Sequence, residues 1–497
     1  MNRYFGEERK DSTLLCAMVR HTMLRRVCIA AVFCVASALV AQAQSFSLLY
    51  GFPEDGTLGY NPFTMNMIQA TDGNLYGTTE SGGAGNVNCN NYVDCGGTIF
   101  RITPAGSYTL LYTFCISTGC PDGRSPYGGI IQASDGNFYG MTPAGGTYND
   151  GTIFRLTPEG AFTVLHSFCD PPNTCNPNDG SAPGGQLLQA SNAALYGITS
   201  GNTLFKITTK GKFTLLYAFP NGTSPQGNLV QIPSGTIYGV TKAGGVYAQG
   251  SIYKATLGGK VTTLYSFCAQ QGCPDGQHPS AGLALGNDGD LYGETFAGGP
   301  DGYGTVFKIT TKGKFKFTLL HQFTGFQNGG TDGGNPIAPM VLGSDGNLYG
   351  TTENYGGGGY GGTGSVYEVA DGAYASVYGL PTDLCTLAHP YGGLVQGTDG
   401  NFYGSDNGTC LIGFSVGLGP FVQPIPTFGK AGKTKVIIQG TDLTGATSVA
   451  FNGKSATFEV VSATEITTTV PTGATTGAVK VVTPGGTLEG NVAFTVK

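Results

Sequence analysis

Short segments in which an aromatic residue is followed by a polar one recur through most of the chain: Phe100-Arg101, Phe154-Arg155, Phe205-Lys206, Tyr253-Lys254, Phe307-Lys308, Tyr367-Glu368 and Phe414-Ser415. Alternation with a period of two belongs to a strand whose successive side chains point to opposite faces, and predicts one packed face and one wet face. Three more apolar segments accompany each copy. In the second copy the four read YGGIIQAS, NFYGMT, GTIFRLT and AFTVLHSF, separated by an Asp-Gly turn, a glycine-rich loop and a Pro-Glu-Gly turn. These are strands A, B, C and D. The tyrosine of strand B falls at Tyr76, Tyr139, Tyr196, Tyr238, Tyr292, Tyr349 and Tyr403, at spacings of 42 to 63 residues, so there are seven units.

A four-stranded antiparallel unit repeated seven times fits a β-propeller, in which radial stacking covers the sheets and protects their edges. Six D strands follow their own C strand, but the seventh unit runs from strand C straight into a proline- and glycine-rich stretch. The missing strand is at the other end of the chain: FSLLYGF at Phe46 to Phe52 matches FTLLYAF at Phe213 to Phe219. The expectation is an all-β chain, a seven-bladed β-propeller whose N-terminal strand closes the last blade, followed by a small β-sandwich. An open solenoid would not explain an orphan D strand at one end and a unit lacking D at the other.

Composition agrees with this expectation. Glycine supplies 84 of 497 residues, proline 26, and charged residues only 11%. Usual shares are about 7% for glycine and about 25% for charged residues, so long solvated helices are disfavoured and turns favoured. A formal charge of −6 argues against a nucleic-acid partner, which requires clustered Lys and Arg.

The chain opens with a basic stretch, an apolar run from Val27 to Val40, and Ala41-Gln42-Ala43, the small-x-small pattern of a signal-peptidase site. The run is shorter than the roughly 20 residues that span a bilayer. An export signal over 1–44 therefore fits better than a retained anchor, with the mature chain beginning near Gln44 or Ser45 and no transmembrane segment left. The leading 19 residues, polar and unusually long for such a signal, allow a start at Met18 or Met23. Cysteine usage points to the same compartment. Outside the leader, eight cysteines fall in close pairs, Cys89 with Cys95, Cys115 with Cys120, Cys169 with Cys175 and Cys268 with Cys273, and Cys385 with Cys410 form a longer-range pair. Such pairs read as disulfides of an oxidising environment. Zinc would call for C-x2-C spacing or companion histidines, and neither is present.

The in-register recurrence of DGN[LF]YG-x-T, a Gly-Gly loop and G-T-[IV]-F-[RK]-[IL]-T over residues 46 to 416 resembles the GloVer-type tandem repeats of exported bacterial proteins, named after Gloeobacter and Verrucomicrobia. That resemblance implies a secreted, cell-surface or periplasmic bacterial protein and no established catalytic activity. After Gly417 to Pro426, six or seven alternating segments fill the rest of the chain. V-I-I-Q-G-T-D-L, V-A-F-N-G, T-E-I-T-T-T-V-P and V-V-T-P-G-G resemble the IPT/TIG group of immunoglobulin-like domains, which implies a spacer or interaction module. The expected organisation is 1–44 signal peptide, 45–416 propeller, 417–426 linker and 427–497 sandwich.

Candidate chemistry is sparse. Gly413-Phe414-Ser415-Val416-Gly417 matches a hydrolase elbow in letters, but it lies on strand C with no helix to follow. His166 and His321 occupy a strand-D slot held elsewhere by tyrosine, so packing explains them better than catalysis. Asp72, Asp135, Asp288, Asp345 and Asp399 suit tight A-to-B turns. The D-to-A loops are more distinctive, because they share one face with the long B-to-C loops. They repeat Asp-Gly-x-x-Pro at Asp122, Asp179, Asp275 and Asp332, and before the proline stand Asn61, Ser125, Ala182, Ser224, His278, Asn335 and His389. A polar ring with acidic neighbours at a channel mouth would suit a cation, a sugar or a basic peptide, while the plainer reading is that Asp-Gly turns and caps the chain. No cofactor is implied. The expected function is an exported, non-catalytic binding or surface-associated protein whose ligand is a glycan, an envelope component or a protein. The alternative is a glycan hydrolase or lyase with two carboxylates at the channel mouth. Mass spectrometry of the exported, non-reduced protein is expected to find a mature N-terminus at Gln44 or Ser45 and five disulfides; free Cys385 and Cys410 would contradict the last pairing.

Overall fold

The computed structural model describes residues 45–62, 67–83, 96–169, 179–279, 281–325, 332–354, 363–380, 389–390, 392–406 and 409–497. The leader, Cys89, Cys95, Cys175 and Cys385 lie outside the described residues. Among the described residues every regular element is a strand, and no helix is long and apolar enough to cross a membrane.

Among the described residues, seven four-stranded antiparallel sheets occupy the repeat region. Six are built in chain order, as in the second: Ile130–Gln132, Phe138–Thr142, Thr152–Leu156 and Phe162–Ser167. The seventh takes strands A to C from Val395–Gln396, Phe402–Ser405 and Cys410–Ser415, and its fourth strand is Ser45–Gly51. Phe46 stacks on Phe414 at 4.7 Å, and Phe52 N–H donates to the Thr409 carbonyl at 2.8 Å.

Strand C differs from its expected half-wet character. In Thr98–Ile102 the threonine, both isoleucines and Phe100 are buried, and only Arg101 is partly exposed. All five residues of Leu75–Thr79 in strand B are buried. Both faces are covered because each sheet packs on the next. One apolar cluster joins Tyr76 of the first sheet to Phe138 and Phe154 of the second, and another joins Tyr403 and Leu411 of the seventh to Leu75 and Phe100 of the first. Burying such a side chain contributes about 1.5 to 3 kcal/mol.

Two further devices join neighbouring sheets. In sheets one to five the C–D pairing slips by one residue at the same place, as between Ile99 and Phe100. This bulge raises the local twist. Near the end of strand D, an aromatic ring or imidazole stacks on the first ring of the next D strand: Tyr112 on Phe162 at 4.0 Å, His166 on Phe213 at 4.1 Å, His321 on Tyr374 at 3.7 Å and Tyr50 on Tyr108 at 4.4 Å. At the inner edge, a glutamine ending strand A binds two turns at once. Gln132 Oε1 accepts from Thr71 N–H of the previous sheet at 2.9 Å, and its Nε2 donates to the Gly136 carbonyl of its own sheet at 3.2 Å. Gln189, Gln231 and Gln396 do the same, and Gln69 reaches Thr398 N–H of the seventh sheet at 2.8 Å.

The C-terminal strands form two four-stranded sheets around Val436, Ile438, Phe451, Ile466, Val481 and Phe494. Gln423–Ile425 already pairs with Lys435–Gln439, so the sandwich starts inside the stretch expected to be a linker. It is held on the A-to-B turns: Gln439 Nε2 donates to the Ala70 carbonyl at 2.6 Å, Thr464 Oγ1 to the Thr71 carbonyl at 2.9 Å, and the Thr398 and Thr441 hydroxyls meet at 2.7 Å. That face is opposite the one carrying the D-to-A loops.

Leucine naturally occupies the glutamine position in two sheets, at Leu285 and Leu342. Gln69→Leu is therefore sterically tolerable but strands the Thr398 N–H, an effect worth about 1 to 3 kcal/mol. Urea denaturation is expected to register a loss of that size, and an unchanged midpoint would deny the amide a stabilising role.

Candidate functional site

Strand D ends by exposing a backbone N–H to the loop that follows, and the loop aspartate takes it. The Asp122 carboxylate accepts from Cys115 N–H at 3.1 Å and from Tyr112 Oη–H at 2.8 Å. Asp275 repeats this with Cys268 N–H and Tyr265. Asp179 pairs with Cys169 N–H at 2.7 Å and His166 Nε2 at 2.6 Å, and Asp332 with Thr324 and with His321 Nε2 at 2.8 Å. Burial by itself would raise the Asp332 carboxyl, but bonds from His321 and Thr324 bring it below the ordinary carboxylate range. His166 and His321 are thus tyrosine substitutes in a clasp.

The glycine after each aspartate serves the next sheet. A Cβ on Gly123 would sit 2.2 Å from Thr142 Oγ1, and its φ of +102° favours glycine. Beneath it the Thr142 and Thr152 hydroxyls pair at 2.8 Å, a pairing repeated by Thr79 with Thr98, Thr199 with Thr203 and Thr295 with Thr305. Asp-Gly-x-x-Pro is a joint between two sheets.

The residues before the prolines are held equally firmly. Asn61, Ser125, Ala182, His278 and Asn335 have φ between +48° and +59°, a region uncommon outside glycine. His278 Nδ1 is 3.0 Å from the Lys242 carbonyl and His389 Nδ1 is 2.8 Å from the Glu353 carbonyl; because a carbonyl only accepts, each Nδ1 carries a proton. Asn335 Nδ2 donates to the Phe296 carbonyl at 3.1 Å. Among the described residues, a proline lies within strand A in the third and fourth sheets, at Pro183–Gln189 and Ser224–Gln231. The inner strands there meet backbone to backbone: Asn228 N–H donates to the Ala281 carbonyl at 3.2 Å, and a Cβ on Gly185 would lie 2.4 Å from the Gly227 carbonyl oxygen.

Each of the eight candidate residues is thus engaged by a partner in or beside its own loop. Asp122, Asp179, Asp275 and Asp332 close loops, while His278, His389 and Asn335 bind carbonyls; the Asn61 carbonyl accepts from Glu80 N–H at 2.9 Å. Among the described residues no three His, Cys, Asp or Glu side chains are grouped to hold a metal. Ser415 lies at the end of a strand, its Oγ accepting from Gly417 N–H at 3.3 Å, with none of the geometry of a nucleophile. The A-to-B aspartates also turn inward: Asp72 accepts from Asn74 N–H and Tyr76 Oη–H. The loops are braced by Cys115–Cys120 and Cys268–Cys273. Cys169 and Cys410 are disulfide-bonded as well.

Two features escaped the sequence reading. The glutamine ring was visible as a repeated Gln closing strand A. The other feature is Glu294, which occupies a strand-B position filled by Thr78, Met141, Ile198 or Val240 elsewhere. It is 1% exposed, bonds through Oε1 to the buried Tyr367 hydroxyl of the next sheet, and its Oε2 has no hydrogen-bond partner among the described residues. Burial pushes its carboxyl up to about 8 despite the tyrosine bond.

Fold and site together define a class: a propeller-like repeat scaffold carrying an immunoglobulin-like module. The chain belongs to the Gloeobacter/Verrucomicrobia repeat family, whose model matches residues 35–203 and 225–413, and an IPT/TIG domain model matches 420–496. No curated protein matches it in sequence. Among solved structures it is similar to PorZ, a bacterial surface component of the type-IX secretion system of Porphyromonas gingivalis, at 12% identity and TM-score 0.47, covering 87% of this chain and 59% of that one. The chain thus spans under two thirds of PorZ. It is also similar to the WD40 β-propeller domain of Doa1, at 12% identity and TM-score 0.45, covering 75% and 97%, and to a putative gluconolactonase, at 11% identity and TM-score 0.35, covering 68% and 95%.

Glu294 generates a pH dependence. It is protonated in the fold at neutral pH and ionised when unfolded, so the stability present below pH 4.5 is lost as pH rises towards 8. Glu294→Gln is expected to flatten the decline in denaturation free energy between pH 5 and 8 by at least about 1 kcal/mol. Parallel curves for both proteins would show that the carboxyl does not titrate on unfolding.

Proposed function

We propose that the protein is an exported, surface-associated binding protein without catalytic activity, built as a closed seven-bladed propeller over 45–416 followed by a sandwich whose strands begin at Gln423, after removal of 1–44. Disulfide-bonded cysteines support an oxidising, extracytoplasmic location. Closure is supported by the pairing of Ser45–Gly51 with Cys410–Ser415 and by the Gln69 bond to Thr398. The observation that carries the non-catalytic reading is the commitment of Asp122, Asp179, Asp275 and Asp332 to N–H and ring donors within their own loops. Glycan hydrolysis needs two carboxylates facing each other across a sugar bond, about 5 to 9.5 Å apart and free to exchange protons.

The ligand is a glycan, an envelope component or a protein. Incubating the mature protein with neutral and acidic polysaccharides and with cell-envelope fractions, while measuring both retention and product release, is expected to give saturable retention without turnover. Product release that disappears in the Asp275→Asn variant would establish the hydrolase or lyase in its place, and neither retention nor release would leave the scaffold a passive spacer.

A further inference from the structure

One large cavity among the described residues lies away from the loop face. It lies between the inner edge of the first two sheets and the outer face of the sandwich sheet that contains Lys435–Gln439, and measures about 800 Å³. A second cavity of about 480 Å³ shares Ile131, Gln132, Ser134, Ile425 and Pro426 with it and extends it past the third and fourth sheets. The two form one elongated cleft. Strand alternation explains its roof: Val436, Ile438 and Ile466 point into the sandwich core, so Ile437, Thr467 and Thr469 must point out towards the repeats. Bonds from Gln439 and Thr464 to the Ala70 and Thr71 carbonyls fix the roof over the floor, so the cleft is formed before any ligand arrives.

We propose that this cleft binds an extended, uncharged segment of a partner polypeptide. The inference rests on the binding-protein reading above and places its site. Three observations select the occupant. The joined lining runs along the inner strand ends of four successive sheets, which suits a chain rising about 3.3 Å per residue rather than a compact solute. Its charges are one Lys435 and one Glu459, of opposite sign, which gives no net attraction for an acidic or basic polymer. Its other lining alternates half-buried apolar groups, Ile131, Ile437 and Phe458, with Thr467, Thr469 and Gln132, whose hydroxyls and amide both donate and accept, as successive peptide groups require. Sugar rings prefer flat aromatic platforms, and between the two cavities only Phe458 and Phe428 are aromatic.

The chain has no tryptophan, so Phe458→Trp places a single indole in the cleft, with Thr467→Trp as a second reporter and Tyr247→Trp as a control on the opposite face. The probe is a pool of capped octapeptides built from valine, isoleucine, serine and threonine. Both cleft reporters are expected to show a saturable blue shift at sub-millimolar peptide and the control none; adding Thr469→Arg should weaken the response at least tenfold. Flat emission up to millimolar peptide in both cleft variants, a response confined to the control, or a response to cellohexaose but not to peptide would each overturn the proposal. If the unmodified protein is still retained on envelope fractions when the reporters stay silent, this cleft assignment alone fails; loss of both removes the binding reading itself.

Discussion

The constraint behind this architecture is the shortness of its strands. A strand of five residues satisfies few backbone groups through its ladder, and each end leaves N–H and C=O groups in a connection that packs against a neighbouring sheet. Buried backbone groups left unpaired cost about as much as a lost hydrogen bond each. The repeat answers with side chains at fixed places: an aspartate for the end of strand D, paired threonines where B meets C, and a glutamine at the inner edge. Asp122 illustrates the economy, one carboxylate taking the Cys115 N–H and the Tyr112 hydroxyl. The Gly123 that follows sits on the threonines of the next sheet. Two consecutive residues thus end one sheet and begin the next, which is why the pair recurs.

This also explains which parts of the molecule were legible from residues. Strand order, the orphan D strand and the sandwich follow from alternation and repetition, which local spacing reports directly. The wetness of strand C was misjudged because alternation within one strand cannot tell solvent from a neighbouring sheet; Ile99 and Phe100 point to opposite faces and both are buried. The acidic loop residues were legible as turn formers, but their hydrogen-bond partners were not. Whether Asp179 faces a ligand or His166 depends on how strand D returns beside its own loop, a relation 13 residues long in sequence and 2.6 Å in space. The cleft was invisible, since it exists only where two separately encoded sheets face each other.

Irregularities in the repeat fall together. Glutamine gives way to Leu285 and Leu342 at the entries to the fifth and sixth sheets, where these leucines pack against apolar clusters in place of an amide bridge. Glu294 stands in the fifth sheet and reaches Tyr367 in the sixth. The same seam therefore loses a bond at its inner edge and gains a buried polar pair further out. A neutral carboxyl donating or accepting there is compatible with the apolar surroundings of Met340 and Phe323, whereas its ionised form is not. The seam thus depends on proton occupancy in a way the amide-bridged seams do not.

A side chain that builds the same joint in repeat after repeat, as the aspartate does in four of the seven units, is a poor carrier of specificity, because its geometry is already fixed by the partners it must satisfy. Asp275 cannot turn towards a ligand without releasing Cys268 N–H and Tyr265. Chemistry free to vary must lie where the repeat makes no demand, and two such places exist: the tips of the long loops, where Val246 is 80% exposed, and the face that meets the sandwich. The second has an advantage the first lacks. Its two walls come from different folds, so Ile437 or Thr467 can change without disturbing a blade, while the floor of strand ends stays rigid. Recognition placed there is decoupled from the stability of the scaffold, and that separation is what a repeat protein with uniform joints permits.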